Sequence, residues 1–226
     1  MVIEGLIFVG ALVALYLWTK YRGNQAQTAN NVVIQGSIID GRKSNTNNVV
    51  LPVSVNQAEG LTFSYTCWVN ISDFEYRYGE KKVVFVKGPE DLSSVCPALL
   101  LDANTNSFIV ELDTYGSRES IPIPNIPAKK WIHVGVAVDQ DSVDVYINGI
   151  IHTHHTLTQL PRQNPDIVHT GVAGGFNGQI AGLQYYAYHM KPDQVAESMK
   201  ATPVPNPQDT APAMPPYFDL TWWTKS

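Results

Sequence analysis

The clearest pattern of apolar and polar positions lies in residues 126–149. Nearly every residue of 131–138 is apolar, which is typical of a strand covered on both faces. Across 143–147 apolar residues alternate with polar ones, which predicts a strand with one solvent-facing side. Asn148-Gly149 then favours a tight hairpin, because both residues tolerate positive φ. The segment therefore predicts neighbouring antiparallel strands of a β-sandwich.

The same periodicities predict strands elsewhere in the chain. They fall at 32–39, 63–71, 97–102 and 107–113. A period of two in the second of these places five residues on one face, which we expect to be the inner one: Phe63, Tyr65, Cys67, Val69 and Ile71.

Other stretches predict turns, edges and one helix. Residues 44–48 are rich in asparagine and predict a loop. Residues 121–127 contain three prolines, so they cannot form a central strand and belong at an edge or in an extended loop. Residues 191–200 predict the single short helix beyond the N-terminal segment, with Pro192 near its start.

Four stretches together resemble a known family. They are K-W-I-H-V followed by V-D-V-Y-I-N-G within 130–149, F-S-Y-T-C-W-V-N-I at 63–71, V-V-F-V-K-G at 83–88, and G-G-F-N-G-Q-I-A-G-L-Q-Y-Y at 174–186. They resemble laminin G-like domains of the concanavalin A-like lectin superfamily over roughly residues 30–200. The resemblance implies an all-β fold, a two-sheet antiparallel jelly-roll sandwich of about a dozen strands. Members of the superfamily bind glycans, bind proteins, hydrolyse polysaccharide or build structure, so the fold alone does not choose among these activities.

The pattern divides the chain into four parts. We expect a transmembrane anchor at 1–22, a polar tether at 23–31, the laminin G-like jelly-roll domain at 32–201 and a proline-rich aromatic tail at 202–226.

The N-terminal segment predicts a membrane anchor. Residues 1–18 carry one charge, Glu4, and would span about 26 Å as a helix, just short of a typical hydrocarbon core. Lys20 and Arg22 follow it, so positive-inside logic orients the domain toward the cytosol. A cleaved signal peptide is the alternative, but no basic residue precedes the apolar run and no small-x-small cleavage site follows it. The residues expected to contact lipid are Val2, Leu6, Phe8, Leu12, Leu15 and Trp18.

The tail combines prolines with large aromatic side chains. Six prolines precede the final stretch, and four aromatic residues follow them: Tyr217, Phe218, Trp222 and Trp223. Such a segment cannot fold alone, and four aromatic residues left in water would favour aggregation. We therefore expect these residues to be buried, either on their own sandwich or on a neighbouring subunit.

Composition narrows the class of protein. With 226 residues, of which 44% are hydrophobic, the chain can bury one all-β core. The net charge of -5 and the scattered basic residues argue against a nucleic-acid partner. The two cysteines, Cys67 and Cys96, are interpreted as buried free thiols, with a disulfide as the alternative.

Glu111-Leu112-Asp113 is the best candidate for catalysis. Sandwich-fold glycosidases that resemble this superfamily carry E-x-D-x-x-E or E-x-D-x-E on one strand, which supplies the acid/base and the nucleophile. Here the final glutamate is missing at both positions, and Glu119 lies beyond the pattern. Without that second carboxylate there is no two-carboxylate hydrolysis, so we predict a non-enzymatic protein.

Candidate metal ligands are present by residue type only. His152, His154 and His155 follow the predicted hairpin, and the first two would share a face, but a third ligand is not identifiable. Asp102, Asn104 and residues 139–141 are oxygen ligands of the type that calcium takes. We expect no metal and no cofactor.

The leading hypothesis is a non-enzymatic, membrane-anchored structural protein. In its strongest form it is a minor capsid protein of a large icosahedral DNA virus, located in the virion between the internal membrane and the capsid. Its partners would be the lipid bilayer and the capsid shell proteins. The alternative is a lectin-like, glycan-binding adhesin on a cell or particle surface, and a divergent glycoside hydrolase is third.

Overall fold

The computed structural model of the chain describes residues 12–18, 31–52 and 61–200. Contacts divide the chain into two compact units, residues 1–31 and 32–226. In the first unit, residues 12–18 form a helix, α1, whose side chains are all exposed. Within the described ranges, no helix combines the length and the apolar character needed to cross a bilayer. Of the predicted anchor residues, Val2, Leu6 and Phe8 lie outside the described residues, as do most of the tether and the whole tail.

The rest of the described chain is a sandwich of two antiparallel sheets, which confirms the predicted all-β jelly-roll architecture. Sheet A has the order β1-β13-β4-β9-β10-β11, with β2 paired to β13. Its strands are β1 (Asn31–Gln35), β2 (Ile39–Asp40), β4 (Phe63–Ile71), β9 (Trp131–Val138), β10 (Ser142–Ile147), β11 (Ile150–Thr156) and β13 (Gly178–Tyr186). Sheet B has the order β3-β12-β5-β6-β7-β8. Its strands are β3 (Asn45–Asn47), β5 (Lys82–Lys87), β6 (Ala98–Leu101), β7 (Phe108–Asp113), β8 (Arg118–Ile123) and β12 (Val168–Thr170).

The core lies between the two sheets and follows the predicted period of two. All five residues predicted to share the inner face of β4 belong to the main core cluster. In β9, Ile132 and Val134 point into the same core, whereas Ala137 lies on the opposite face beneath helix α2 (Pro192–Ser198). Val195 of α2 packs there with Tyr146. The outer face of β9 is therefore buried as well, which explains why this strand is apolar at nearly every position.

Two predicted elements differ from the structure. The strand predicted at 32–39 is broken, and its two halves, β1 and β2, both lie against β13. The loop predicted at 44–48 contains β3, which pairs with β12. Backbone pairing at a sheet edge needs no apolar side chains, so a run of asparagine and threonine can form such a strand.

The edge and turn predictions agree with the structure. Strand β8, which contains Pro122, lies at the edge of sheet B. Asn148 and Gly149 have φ of 50° and 78°, as a tight hairpin requires.

Candidate ligand-binding site

The carboxylates Glu111 and Asp113 lie on the outer face of sheet B, where other side chains surround them. Their side chains are only 8% and 7% exposed. Asp113 accepts hydrogen bonds from Arg118 Nε at 2.7 Å and from the Val95 N–H at 3.0 Å. Arg162 Nη2 lies 3.6 Å from the same carboxylate.

Glu111 is held in a similar way. Lys81 Nζ lies 2.5 Å from Glu111 Oε1, and Ser120 Oγ donates to the same oxygen at 3.2 Å. Arg118 Nη1 is 3.8 Å from Glu111 Oε2, so one guanidinium faces both carboxylates of β7. Both groups are therefore engaged within the protein.

The ionisation of Asp113 follows from this arrangement. Burial alone would raise its pKa, but hydrogen bonds from Arg118 and from the Val95 N–H outweigh burial and hold the pKa below its ordinary value of 3.8. Glu119 pairs in register with Leu112, whose side chain is in the core, so Glu119 lies on the other face of sheet B from Glu111. The three carboxylates do not converge on one face.

The three histidines of β11 are directed to different partners. A register shift in the β10–β11 pairing skips His152, so it does not lie opposite a residue of β10 as His154 does. His154 Nδ1 is 2.6 Å from Asp144 Oδ1, and His155 Nε2 is 2.7 Å from Glu119 Oε2. His152 and His154 are both exposed, but they have different partners, and the expectation that they share a strand face stays a prediction.

The oxygen ligands considered for calcium are also separated. Asp102 Oδ2 closes its own turn by accepting hydrogen bonds from the N–H of Asn104 and from the N–H and hydroxyl of Thr105. Residues 139–141 form the β9–β10 turn at the opposite end of the sandwich. In residues 12–18, 31–52 and 61–200, no three His, Cys, Asp or Glu side chains are grouped so that they could hold a metal ion.

The end of the sandwich that carries the 139–141 turn contains two cavities, and we name it the loop end. It comprises residues 49–52 and 61–62, the turns 114–117 and 139–141, and the connection 157–167. The connection is fixed at three points by backbone hydrogen bonds: the Leu157 N–H to Asp141 O at 2.7 Å, the Tyr115 N–H to Leu160 O at 3.0 Å, and the Arg162 N–H to Asp113 O at 2.8 Å. Both sheets therefore contribute to one surface.

Two cavities lie at the loop end and share Gln163. The inner cavity, of about 220 Å³, opens between the sheets, and its lining includes Tyr65, Lys87, Cys96, Asn164 and Tyr185. The rim cavity, of about 400 Å³, is lined by Leu61, Tyr115, Gln140, Leu160, Pro161 and Gln163.

Lys87 shapes the inner cavity by anchoring its wall. Its Nζ donates to Asn164 O at 2.9 Å, to Asn164 Oδ1 at 3.3 Å, and to the carbonyl of Asp166. The Asn164 side-chain amide donates back to Lys87 O at 3.0 Å. Burial lowers the pKa of Lys87, but the ammonium faces oxygen atoms in three directions. Lys87 therefore holds the connection against sheet B.

The other polar groups of the inner cavity are also held in place. Tyr185 donates its hydroxyl to Pro52 O at 2.7 Å, and burial raises its pKa to about 12. Burial likewise raises the pKa of the Cys96 thiol to about 12, which makes it a poor nucleophile. Cys67 and Cys96 are both free and buried, which confirms their interpretation as free thiols.

The rim cavity presents neutral polar and aromatic groups to solvent. Tyr115 is 72% exposed and Leu160 is 46% exposed. The amides of Gln140 and Gln163 can each donate and accept hydrogen bonds. Sequence reasoning did not identify these residues, because turns that are distant in the chain meet only in the folded sandwich. Tyr115 in a polar turn after a strand was the one available signal.

Comparison with solved structures finds the same fold in bacterial toxins. The ligand-binding domain of botulinum neurotoxin serotype D, in complex with N-acetylneuraminic acid, superposes with a TM-score of 0.57 at 10% identity over 79% of this chain and 52% of that chain. Botulinum neurotoxin type C, whose cell entry depends upon interaction with two ganglioside molecules, superposes with a TM-score of 0.55 at 12% identity over 79% of this chain and 53% of that chain. The receptor-binding domain of the botulinum neurotoxin C/D mosaic serotype superposes with a TM-score of 0.53 at 12% identity over 62% of this chain and 36% of that chain. The chain thus spans between about a third and about a half of these structures, and at such identities the likeness shows the fold alone.

Sequence comparison identifies the family. No curated protein is significantly similar to the chain. A laminin G family model, described as the concanavalin A-like lectin/glucanases superfamily, matches residues 43–196 and so covers the sandwich from β3 to α2. The chain therefore belongs to the concanavalin A-like lectin/glucanases superfamily.

Proposed function

We propose that the sandwich is a non-enzymatic binding domain whose ligand is a glycan, held at the loop end. One observation carries this proposal: two adjoining cavities, with exposed aromatic and neutral amide groups at the rim, lie at the loop end. The carboxylates of β7, by contrast, are engaged by Lys81, Arg118 and Arg162. Two solved structures of similar fold support the choice of ligand, since one contains N-acetylneuraminic acid and the other belongs to a toxin that depends on gangliosides.

The chemistry of the rim cavity suits a sugar. The ring of Tyr115 offers an apolar face for the C–H groups of a pyranose, and its hydroxyl remains a hydrogen-bonding group. Gln140 and Gln163 offer amides that can both donate to and accept from sugar hydroxyls. A few placed polar groups around an apolar surface are what small-molecule sites commonly provide.

Glycan binding can be tested on the full chain. A glycan array would identify the ligand, and titration calorimetry would then compare Tyr115→Ala and Gln140→Ala with the parent. We expect each variant to bind about tenfold more weakly, since each removes about 1.4 kcal/mol of contact.

Tyr78→Ala is the matched control. Tyr78 is 68% exposed and lies in the loop before β5, at the other end of the sandwich. Its loss should leave the affinity unchanged. Failure of the array to find a glycan, or equal affinities of Tyr115→Ala and Tyr78→Ala, would contradict a glycan site at the loop end.

Membrane attachment within a large assembly is a second candidate, and helix α1 favours it. Six of its residues have large apolar side chains that are 52% to 63% exposed: Leu12, Val13, Leu15, Tyr16, Leu17 and Trp18. A helix that is apolar on every side favours a lipid environment over water. In this candidate the domain faces the cytosol and ties an internal viral membrane to the capsid shell.

Crosslinking with mass spectrometry on the membrane-bound particle tests the second candidate. The informative positions are Lys129, Lys130 and Lys225. Reproducible links to a repeated shell protein would support the structural role. Links within the chain alone would contradict it. Because the tail aromatic residues lie outside the described residues, their role in docking stays a prediction.

A further inference from the structure

His133 of β9 is a buried histidine between sheet A and helix α2. It lies between Ile132 and Val134, whose side chains point into the core, so its own side chain points to the outer face of the sheet. The residue is 1% exposed. Its ring packs edge-on against Trp68 of β4, with the ring centroids 5.1 Å apart. The imidazole is therefore enclosed on the face of sheet A that α2 covers.

The two ring nitrogens of His133 suit a neutral imidazole and not a charged one. Nε2 lies 3.5 Å from Ser198 Oγ of α2, which is a long hydrogen bond. The Ser198 hydroxyl donates to Val195 O at 2.7 Å, so its oxygen is left to accept from His133. Nδ1 has no hydrogen-bond partner among the described residues. Protonation would put a second N–H on this nitrogen, and that N–H would be buried without an acceptor.

The surrounding titratable groups do not compensate a charge on His133. On this face β4 carries none, and the neighbouring elements carry Asp144, Tyr146, Tyr186, Tyr188, His189, Lys191, Asp193, Glu197 and Lys200. Asp144 is engaged by His154 Nδ1 at 2.6 Å and by His189 Nε2 at 3.3 Å. The charged residues of α2 are exposed to solvent. Burial is the cause that lowers the pKa of His133 from 6.5 to about 4.

Helix α2 is the element that a charge on His133 would displace. With seven residues it is too short to be stable in isolation, so it depends on packing against the sheet. That packing consists of Val195 against Ala137 and Tyr146. Strand β9, in contrast, is hydrogen-bonded to β4 on one side and to β10 on the other. The helix can therefore move away while the strand stays in place.

We propose that His133 is a pH-sensitive switch whose protonation releases α2 from sheet A and uncovers the apolar side chains beneath the helix. With α2 released, His133 is solvated and has its ordinary pKa of 6.5, whereas under the helix the pKa is about 4. The docked helix is thus fully stabilised above pH 6.5, and this stabilisation is lost as the pH falls from 6.5 toward 4. The ratio of released to docked helix should rise about 30-fold between about pH 8 and about pH 5.

Hydrogen exchange on the full chain tests the switch. Exchange rates of the α2 amides, corrected for the intrinsic effect of pH on exchange, give the opening equilibrium of the helix. We expect this opening to rise about 30-fold from about pH 8 to about pH 5, while the β9 amides keep their protection. His133→Phe cannot take up a proton, so its α2 amides should be equally protected at both pH values. A parent without pH dependence, or a pH-dependent His133→Phe, would overturn the proposal.

Two further variants keep the test independent of the folding of His133→Phe. Ser198→Asp places a carboxylate beside Nε2, where it can accept from the imidazolium, so the rise in opening at about pH 5 should be smaller than in the parent. His169→Phe is the matched control, because His169 is 7% exposed on β12 of the other sheet and its Nδ1 lies 3.1 Å from Thr46 Oγ1. It should keep the response of the parent. An unchanged response in Ser198→Asp, or its loss in His169→Phe, would contradict a switch at His133.

Discussion

The outer face of sheet B and the loop end both carry polar side chains, but those on sheet B pair with one another, whereas those at the loop end face solvent. On sheet B, Glu111 and Asp113 meet Lys81, Arg118 and Arg162 in ion pairs within the protein. At the loop end, Tyr115 and the amides of the rim cavity face open space. The carboxylates that the sequence offers as candidate catalytic groups are thus engaged in ion pairs, whereas the neutral side chains of the rim cavity remain exposed to solvent.

This difference shows why residue type alone is a poor guide to a site. Carboxylates with little contact to solvent need cationic partners or hydrogen bonds, and on sheet B the fold supplies both. Neutral side chains on turns have no such requirement. Substitutions on the outer face of sheet B should therefore lower the free energy of unfolding, and substitutions at the loop end should lower the affinity for a ligand.

The largest effect is expected from Asp113→Ala. The substitution leaves the Val95 N–H without its acceptor and Arg118 without its closest partner. We expect a loss of about 2–3 kcal/mol in the free energy of unfolding, measured by urea denaturation. Lys81→Met is the comparison, because Lys81 is about half exposed and its ion pair with Glu111 should contribute less than about 1 kcal/mol. Equal losses of unfolding free energy in the two variants would show that the buried contacts of Asp113 stabilise the fold no more than the half-exposed ion pair of Lys81 does.

A pH effect of smaller size follows from the same carboxylate. The pKa of Asp113 is lowered in the folded state from 3.8, so its ionised form stabilises the fold fully above 3.8. That contribution is lost as the pH falls from 3.8 through the lower folded value. We expect the parent to lose more stability than Asp113→Asn between about pH 5 and about pH 2.5. Parallel stability curves for the two proteins would contradict this assignment.

A modest change in stability, together with a distinct functional effect, is expected from Lys87→Met. The variant loses the hydrogen bonds that hold Asn164 and Asp166 against sheet B. We expect a loss of about 1 kcal/mol in stability, because Lys87 is only partly buried, and a larger relative loss of glycan affinity as the cavity wall moves. Lys130→Met, at the other end of the sandwich, is the control for calorimetry and denaturation. Unchanged affinity in Lys87→Met would exclude the inner cavity from the site.

Much of the fold could be predicted from local patterns. The inner face of β4, the doubly buried β9, the Asn148-Gly149 turn and the helix after Met190 all agree with prediction. Each is set by periodicity or turn chemistry within a few residues. β3 was missed because its pairing is a backbone interaction with β12, which lies more than a hundred residues away.

The candidate site could not be predicted in the same way. Tyr115, Gln140 and Gln163 come from three separate connections that meet only when both sheets are in place. The bulge at His152 is equally nonlocal, because it depends on how β11 registers against β10. The membrane anchor and the docking of the tail stay predictions, since most or all of their residues lie outside the described ranges.

By itself the sequence determined the alternation that buries one face of each strand, the turns that join strands and the superfamily that this pattern resembles. These features depend on side-chain polarity and backbone conformation, which are local. Only the tertiary structure decided which charges neutralise one another and which turns enclose a cavity. Those outcomes depend on distances between residues far apart in the chain, which the packing of the two sheets fixes.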